Sequence, residues 1–257
     1  MEKVILISID GCRADALAQC GNPYVEELKR RGAYTLTART VYPSVTLPCH
    51  LSLFHSVPPA RHGTLTNDYV VPVRPVPGLF EQLRAAGCDC AMYYGWEPLR
   101  EVARPKSLMW AGYFNAYAAE HTDGILTDMA LQRIAESKPD FVFLYMVETD
   151  EKGGHDSGWM TDTYLDYVRR AIDNVQRVVE AAGHEYTVIV TADHGGHDRS
   201  HGTDKPEDMT IPQFFMGPRF TPGRDLGEVS LLDLAPTIAE LMGVRRPREW
   251  EGRSLAE

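Results

Sequence analysis

Three acidic residues follow apolar runs of the kind that form buried β-strands. Asp10 ends the run ILISID, Asp150 ends FVFLYMVETD and Asp193 ends TVIVTAD. Ligands of open α/β sheets bind beyond the carboxyl ends of the strands, so we expect the three carboxylates to meet at one edge of a sheet. Carboxylates brought so close repel one another unless cations neutralise them. The pattern therefore predicts a metal site rather than three unrelated turn residues.

Histidines accompany two of these acidic residues. His155 follows Asp150 after a Gly-Gly pair. Three more histidines lie in the eight residues directly after Asp193, namely His194, His197 and His201. Ligands that mix carboxylate oxygen with imidazole nitrogen suit zinc or another divalent transition metal better than calcium. A solvated polar loop is the competing interpretation of this segment.

A hydroxyl that could act as a nucleophile lies in the segment VYPSVTLPCHLSLFHS. Thr46 precedes Leu-Pro and an apolar helical pattern, which predicts that it occupies the N-cap of a helix with Pro48 in the first turn. The unpaired N–H groups and the positive dipole end of a helix N-terminus favour an alkoxide or a bound phosphate. A capping role alone is the alternative for Thr46. Ser44 is the weaker candidate for the nucleophile because it stands further from the helix start.

The elements that must position these residues alternate between apolar runs and helical patterns, which indicates a mostly parallel sheet with helices on both faces. The predicted strands are Val4–Ile9, Asp140–Val147 and Tyr186–Thr191, with weaker candidates at Cys88–Tyr94 and Ile211–Met216. The predicted helices are Tyr24–Arg31, Leu79–Ala86, Gly124–Ser137, Asp162–Ala182 and Leu231–Met242. The Pro-rich stretch Val57–Pro77 is expected to form a surface loop. No repeat or linker is apparent, so one domain over residues 1–257 is expected.

The composition is that of an ordinary globular protein, with 44% hydrophobic and 24% charged residues among 257. A formal net charge of −10 argues against a nucleic-acid polymer or an anionic membrane as the main partner and favours a small molecule. The N-terminus shows no leader pattern and no apolar run approaches ~18 residues, which predicts a cytoplasmic protein outside the membrane. Five cysteines form an odd set without metal-ligand spacing, so we expect free thiols. The oligomeric state is left open by the sequence.

Five short motifs occur in order between Asp10 and His201: ISIDG, TLPCH, HGTLTN, TDEKGGH and ADHGG. In this order they resemble the motifs of the alkaline phosphatase superfamily, and most closely those of its type I phosphodiesterase/nucleotide pyrophosphatase branch. The resemblance covers nearly the whole chain, since the later segment TIPQFFMGP fits as well. It implies an alkaline-phosphatase-like α/β fold with a mostly parallel central sheet flanked by helices on both faces. It also implies a hydrolase that uses two divalent metals to cleave phosphate esters, as a phosphodiesterase or nucleotide pyrophosphatase.

The resemblance implies a role for each matching position. The first metal site would consist of Asp10, Asp193 and His194, with the nucleophile Thr46 bound to the same ion. The second metal site would consist of Asp150, His155 and His201. Asn67, 21 residues after Thr46, would donate a hydrogen bond to an oxygen of the phosphoryl group. Zinc is the expected metal, and manganese is an alternative that the ligand set tolerates.

Two positions depart from the family's pattern. Asp150 and His155 are five residues apart where the family has a step of four, so either an extra glycine is accommodated or Glu151 is the ligand. Leu47 follows the threonine, at a position where nucleotide-cleaving relatives often carry an aromatic residue that stacks on the base. The natural substrate is therefore not determined by these motifs.

Several alternatives stay open. The aromatic-rich stretch from Tyr93 to Tyr117 either covers the metals and grips the leaving group or belongs to the core. His197 and Asp198 either orient the metal ligands or form part of a solvated loop. A sulfatase is disfavoured because Thr46-Leu-Pro-Cys-His lacks the Cys or Ser and the Arg of the sulfatase motif. A phosphomonoesterase or a phosphonate hydrolase is the enzymatic alternative, and a catalytically dead metal-binding module is the non-enzymatic one.

Overall fold

A computed structural model describes all 257 residues of the chain. Seven strands form one sheet: β1 (Lys3–Ile9), β2 (Ala33–Arg39), β3 (Cys90–Tyr94), β4 (Trp110–Tyr113), β5 (Phe141–Met146), β6 (Tyr186–Thr191) and β7 (Thr210–Met216). Their order across the sheet is β2-β7-β6-β1-β5-β3-β4. The central strand β1 pairs in parallel with both β5 and β6. The predicted α/β fold with a mostly parallel central sheet is confirmed.

The chain also has eight α-helices: α1 (Tyr24–Arg31), α2 (Thr46–His55), α3 (Pro59–His62), α4 (Leu79–Ala85), α5 (Thr122–Ser137), α6 (Asp162–Ala182), α7 (Pro206–Met209) and α8 (Leu234–Leu241). The longer helices form two layers, with α1, α5 and α6 on one face of the sheet and α2, α4 and α8 on the other. Because both faces are covered, β1, β5 and β6 are buried almost throughout, which explains their continuous apolar sequences.

The strand β7 runs antiparallel to β6 and to β2, unlike the rest of the sheet. A parallel neighbour would need a crossover that carries the chain back to the opposite edge. The connection from β6 to β7 contains no regular element except the four-residue helix α7, so the chain turns back at the edge where β6 ends. The histidine-rich segment after Asp193 is therefore held at that edge.

Large aromatic side chains join the sheet to the layer that contains α2. Phe54 of α2 stacks on Phe80 of α4 with ring centroids 4.8 Å apart, and its ring meets Phe143 of β5 edge-on at 4.9 Å. All three rings are fully buried. These contacts fix α2 against the sheet.

Most predicted elements are confirmed to within two residues at each end. The predicted helix Leu231–Met242 instead starts as a 3-10 turn, Leu231–Asp233, which has a capping box and is followed by α8. The sequence does not predict β2 and β4, because β4 has only four residues and β2 alternates irregularly between buried and partly exposed positions. The stretch Val57–Pro77 contains α3 and is otherwise irregular.

The five cysteines are free thiols, as expected, and all five are also buried. Burial raises the pKa of the Cys49 thiol, three residues after Thr46, so a thiolate nucleophile is disfavoured at this position. No helix of the structure has the length and apolar character needed to cross a membrane.

Ile7 tests how much the central strand contributes to stability. Its side chain is fully buried on β1, beside Leu144 of β5 and Val190 of β6. We expect Ile7→Ala to lower the free energy of unfolding by about 2–5 kcal/mol, because it deletes buried methyl groups and leaves a cavity. Urea denaturation measures the change, and Val73→Ala is the control since Val73 is 97% exposed. An equal loss in both variants would contradict the central place of β1 in the core.

Candidate active site

Three acidic residues meet at the edge where the central strands end. Asp10 follows β1, Asp193 lies two residues beyond β6, and Asp150 lies in a π-helix that follows β5. Because β6, β1 and β5 are neighbours in the sheet, their ends deliver the three carboxylates side by side. All three side chains are buried. The structure thus brings together the acidic residues that the sequence placed at this edge.

Each of these carboxylates has an oxygen without a partner. Asp10 Oδ1, Asp150 Oδ1 and Asp193 Oδ2 are buried and accept no hydrogen bond. A buried carboxylate oxygen without a partner is costly, and three together are worse because their charges repel. Burial and the charge of Asp193 raise the pKa of both Asp10 and Asp150 well above the usual range. This donor set fits divalent cations, which would bind the free lone pairs and cancel the repulsion.

Imidazole nitrogens complete two groups of possible metal ligands around these oxygens. In the first group, His194 Nε2 lies 3.4 Å from both Asp10 Oδ1 and Asp193 Oδ2. The three ligands predicted for the first site are therefore together. His194 also belongs to the second group, with Asp150 and His201. Its ring stacks on that of His201 with centroids 3.9 Å apart, so the two groups adjoin.

The ligands predicted for the second site form a more open set. His155 Nε2 lies 3.4 Å from Asp150 Oδ2, and His201 Nε2 lies 3.9 Å from Asp150 Oδ1. The π-helix Thr149–Ser157 explains the unusual five-residue step, because i→i+5 bonding places residues five apart on one face of the helix. The 3.4 Å contact with Asp150, and not the helix type alone, favours Asp150 over Glu151 as the partner of His155.

Glu151, the alternative ligand, lies beside an aromatic side chain instead. Burial and the nearby carboxylate of Glu151 raise the pKa of the Tyr117 hydroxyl to about 12. The charges of Asp150 and Asp10 also raise the pKa of this hydroxyl. The aromatic-rich stretch therefore divides in two, since Tyr93 is buried in the core whereas Tyr117 is 65% exposed.

Trp159 joins the loops that carry the possible ligands, and the motifs do not single it out. Its indole N–H donates to Gly11 O at 2.9 Å, next to Asp10. The ring packs on Gly154 and Gly196, where a Cβ would collide with it. Its ring also makes edge contacts with two histidines, His155 and His201. The two Gly-Gly pairs in EKGGH and DHGGH are the sequence signal that a large ring packs against both loops.

Thr46 lies in the first turn of α2 but does not cap it. Val45 O accepts the first intrahelical hydrogen bond, so Val45 is the N-cap and the predicted N-cap position is wrong by one residue. The Thr46 hydroxyl makes no capping bond; it is buried, and its Oγ1 lies 3.2 Å from His194 Nε2. The other candidate, Ser44, donates its hydroxyl to Thr203 O at 2.7 Å. The threonine, and not the serine, faces the possible metal ligands.

Asn67 reaches the first turn of the same helix from the Pro-rich loop. Its Oδ1 accepts a hydrogen bond from the N–H of Leu47 at 3.1 Å. This bond orients the amide and leaves its NH2 group to donate, which suits the role expected of a phosphate-binding asparagine. The Leu47 side chain is fully buried and offers no surface for a substrate to stack on.

His197 holds the shape of the histidine-rich loop. Its Nδ1 lies 2.7 Å from Asp208 Oδ1, in α7. The N–H of Gly195 donates to Asp208 O at 2.9 Å and closes the same loop. The carbonyl of Asp198 accepts a bond from the N–H of Trp159 at 2.8 Å. These contacts belong to a structured loop, in which His197 bonds to Asp208 rather than to a possible metal ligand.

A further buried acid supports the chain that leads from β5 to Asp150. Asp123, in the first turn of α5, accepts hydrogen bonds from the N–H groups of Val147 at 2.8 Å and Glu148 at 3.1 Å. In return, Glu148 accepts bonds from N–H groups at the start of α5. Burial and the charge of Glu148 raise the pKa of Asp123 to about 7. This reciprocal set of bonds clamps α5 to the end of β5.

The raised pKa of Asp123 makes stability depend on pH. A carboxyl group whose pKa is higher in the folded chain stabilises fully below its unfolded pKa, and this contribution is lost as pH rises through about 7. We therefore expect Asp123→Asn to flatten the fall in the free energy of unfolding between pH 3.8 and about 7. Denaturation at a series of pH values measures the slope. The exposed Asp128→Asn on the same helix is the control, and an identical slope in both variants would contradict the assignment.

The repulsion among the buried carboxylates predicts opposite effects of one substitution with and without metal. In chelator-treated protein, Asp10→Asn should raise the free energy of unfolding, because it removes a buried charge that faces Asp193 and Asp150. In zinc-loaded protein, the same change should lower it and weaken zinc binding, because a ligand is lost. Denaturation with and without zinc and equilibrium dialysis measure both effects. The exposed Asp204→Asn is the control, and a loss of stability in both states would count against a cation site.

Comparison with known proteins identifies the family. A family model for type I phosphodiesterase / nucleotide pyrophosphatase matches residues 4–210. Ectonucleotide pyrophosphatase/phosphodiesterase family member 1 of Mus musculus is 27% identical over 196 residues, which are 68% of this chain and 21% of that protein. The match thus spans about a fifth of the length of that relative.

Two solved structures share the fold. An inactive variant of murine ectonucleotide pyrophosphatase / phosphodiesterase 5, in complex with AMP, has a TM-score of 0.82 at 15% identity and covers 96% of each chain. The phosphonate monoester hydrolase of Silicibacter pomeroyi has a TM-score of 0.76 at 17% identity and covers 99% of this chain and 76% of that chain. At these identities the likeness is one of fold. The family model, in contrast, extends over most of the sequence, and the chain belongs to the type I phosphodiesterase / nucleotide pyrophosphatase family.

Proposed function

We propose that this protein hydrolyses phosphate esters, with Thr46 as the nucleophile and two divalent metal ions as cofactors. The observation that carries the proposal is the position of the Thr46 hydroxyl. It is buried in the first turn of α2, 3.2 Å from His194 Nε2. His194 in turn lies in both groups of possible metal ligands. A hydroxyl that caps no helix and contacts His194 thus supports a nucleophile between the two groups of possible ligands.

The residues present fit two metals of the zinc or manganese type. Asp10, Asp193 and His194 would hold the first, and Asp150, His155 and His201 would hold the second. The unpartnered carboxylate oxygens of all three aspartates support this assignment. When bound, the metals would supply positive charge that lowers the pKa of the Thr46 hydroxyl and stabilises the charge of the transferring phosphoryl group.

The reaction would proceed in two displacements at phosphorus. Thr46 Oγ1 loses its proton and forms a bond to phosphorus in line with the departing oxygen, whose bond to phosphorus breaks. The leaving group departs as an alcohol or a phosphate, and the proton that Thr46 released balances the one that an alcohol takes up. A water then attacks the phosphothreonine from the opposite side, and Thr46 Oγ1 leaves and regains its proton. Asn67 holds a non-bridging oxygen through its NH2 group, because its carbonyl oxygen is already bonded to Leu47 N–H. The N-terminal N–H groups of α2 add positive potential at the same point.

A phosphodiester or a nucleotide pyrophosphate is the substrate class that the family supports best. A base or other apolar leaving group would not contact Leu47, which is buried. The exposed ring of Tyr117 offers such a group a surface to contact. The net charge of −10 favours a small substrate over a nucleic-acid polymer.

The same residues are compatible with two alternative functions. The fold shared with a phosphonate monoester hydrolase keeps phosphonate esters and simple phosphomonoesters as alternative substrates. A catalytically dead metal-binding module would bind zinc stoichiometrically without turnover. Both are distinguished from the main proposal by one set of assays.

Turnover of generic esters by zinc-loaded protein tests the proposal. We expect bis-p-nitrophenyl phosphate to be cleaved faster than p-nitrophenyl phosphate or a p-nitrophenyl phosphonate ester. Thr46→Ala should lower kcat by at least about 1,000-fold, because the nucleophile is removed, while zinc binding by the remaining ligands persists. Thr46→Ser should retain part of the activity.

The exposed Thr163→Ala on α6 is the matched control and should behave as the unmodified protein. Faster cleavage of the monoester or the phosphonate would change the substrate class but keep the mechanism. Turnover that survives in Thr46→Ala would refute the assignment of the nucleophile. Zinc binding without any turnover would favour the metal-binding module.

A further inference from the structure

We propose that His50 is a positioning residue that holds the Thr46 turn in register with Asp193. The proposal rests on the proposed function, since it concerns the alignment of the nucleophile with the first metal site. His50 lies in α2 four residues after Thr46, so one helical turn separates them. Its side chain is fully buried beneath the acidic cluster.

The hydrogen bonds of His50 determine which ring nitrogen carries the proton. Nδ1 lies 2.9 Å from Thr46 O and 3.5 Å from Asp193 Oδ2. The carbonyl oxygen of Thr46 can only accept a hydrogen bond, so Nδ1 must be the donor, and its N–H lies close to the carboxylate of Asp193 without bonding to it. Nε2 lies 3.1 Å from Ser8 Oγ and therefore accepts the serine proton. The imidazole has a partner on each nitrogen and is locked in one orientation.

These contacts connect three separate parts of the chain. Thr46 belongs to α2, Ser8 is two residues before Asp10 on β1, and Asp193 follows β6. One side chain thus links the nucleophile to both strands that supply the first group of acids. If it is lost, the first turn of α2 is free to shift relative to these strands, and a shift of about 1 Å in a reacting atom can cost about 100-fold in rate.

Packing extends the link to the third member of the first site. The ring of His50 meets the ring of Tyr145 edge-on, with centroids 5.2 Å apart. The hydroxyl of Tyr145 donates to Asp10 Oδ2. His50 therefore packs against the side chain that donates to Asp10, and it also lies 3.5 Å from Asp193 Oδ2.

His55 provides an internal comparison on the same helix. It is buried, and its Nδ1 lies 2.9 Å from Leu51 O, which is the same bond to the carbonyl four residues earlier that His50 makes. It forms no hydrogen bond to β1 or to the acidic cluster. A contribution of this bond to helix stability alone would therefore be the same for both histidines.

Two substitutions of His50 separate its two hydrogen-bonding nitrogens. His50→Asn places an amide NH2 near the position of Nδ1 and keeps the donor to Thr46 O, whereas His50→Gln carries its amide near the position of Nε2 and keeps only the contact to Ser8. We expect kcat of His50→Gln to fall by about 100-fold with KM within a few-fold, and its zinc affinity to fall by about 10–100-fold. His50→Asn should recover most of both. The variants His55→Asn and His55→Gln should each lose about as much stability as the corresponding His50 variant. They should keep the kcat and the zinc affinity of the unmodified protein.

The controls distinguish failure of this inference from failure of the proposed function. Equal effects of Asn and Gln at position 50, or a loss of kcat that also occurs in the His55 variants, would show that His50 has a merely structural role. If the unmodified protein shows no turnover that depends on Thr46, the proposed function fails. Zinc affinity, measured by competition with a chromogenic chelator, then still decides the matter, because equal affinities of the two His50 variants would overturn the inference.

Discussion

The mutual repulsion of three buried carboxylates is the constraint on which the arrangement of this protein depends. Parallel strands deliver Asp10, Asp150 and Asp193 to one edge, where each retains an oxygen without a hydrogen-bond partner. Such an arrangement is unfavourable by itself and requires a fold that is stable for other reasons. The continuous core of 71 buried hydrophobic residues around the sheet supplies that stability. The three carboxylates can therefore keep oxygens without hydrogen-bond partners, because the apolar core, rather than the site, stabilises the folded chain.

The two candidate metal sites differ in how firmly the chain prepares them. The ligands of the first follow strands directly and are almost completely buried, and a network through Tyr145 and His50 holds them from below. The second depends on a π-helix and on a loop that turns back to β7, and the side chain of His155 is 37% exposed. Trp159 compensates in part by packing against both loops. The first site is thus preorganised by the sheet, and the second by the packing of one indole ring.

The sequence predicts the central architecture well because burial on both faces leaves a clear apolar pattern in β1, β5 and β6. The meeting of the three acids follows from the same pattern, since a topological rule places strand ends at one edge. The edge strands β2 and β4 are not predicted, because a partly exposed or very short strand shows no strong periodicity of hydrophobic residues. The contacts of Trp159 and His50 are not predicted for another reason. Their partners lie far away along the chain, and a local sequence pattern does not indicate a contact that depends on tertiary packing. The N-cap of α2 is misplaced by one residue because a threonine before Leu-Pro has the composition of a cap, whereas the hydrogen bonds select Val45.

The π-helix has a consequence for how members of this family are recognised. In an α-helix, one additional residue between two side chains would rotate the second by about 100° and carry it away from the first. The wider turn over Thr149–Ser157 absorbs that residue and returns His155 to the side of Asp150. A search pattern with a fixed gap between aspartate and histidine would pass over such a chain, whereas a pattern that tolerates one insertion would retain it. In this chain the additional residue coincides with a π-helix, and the approach of His155 to Asp150 is kept despite the longer motif.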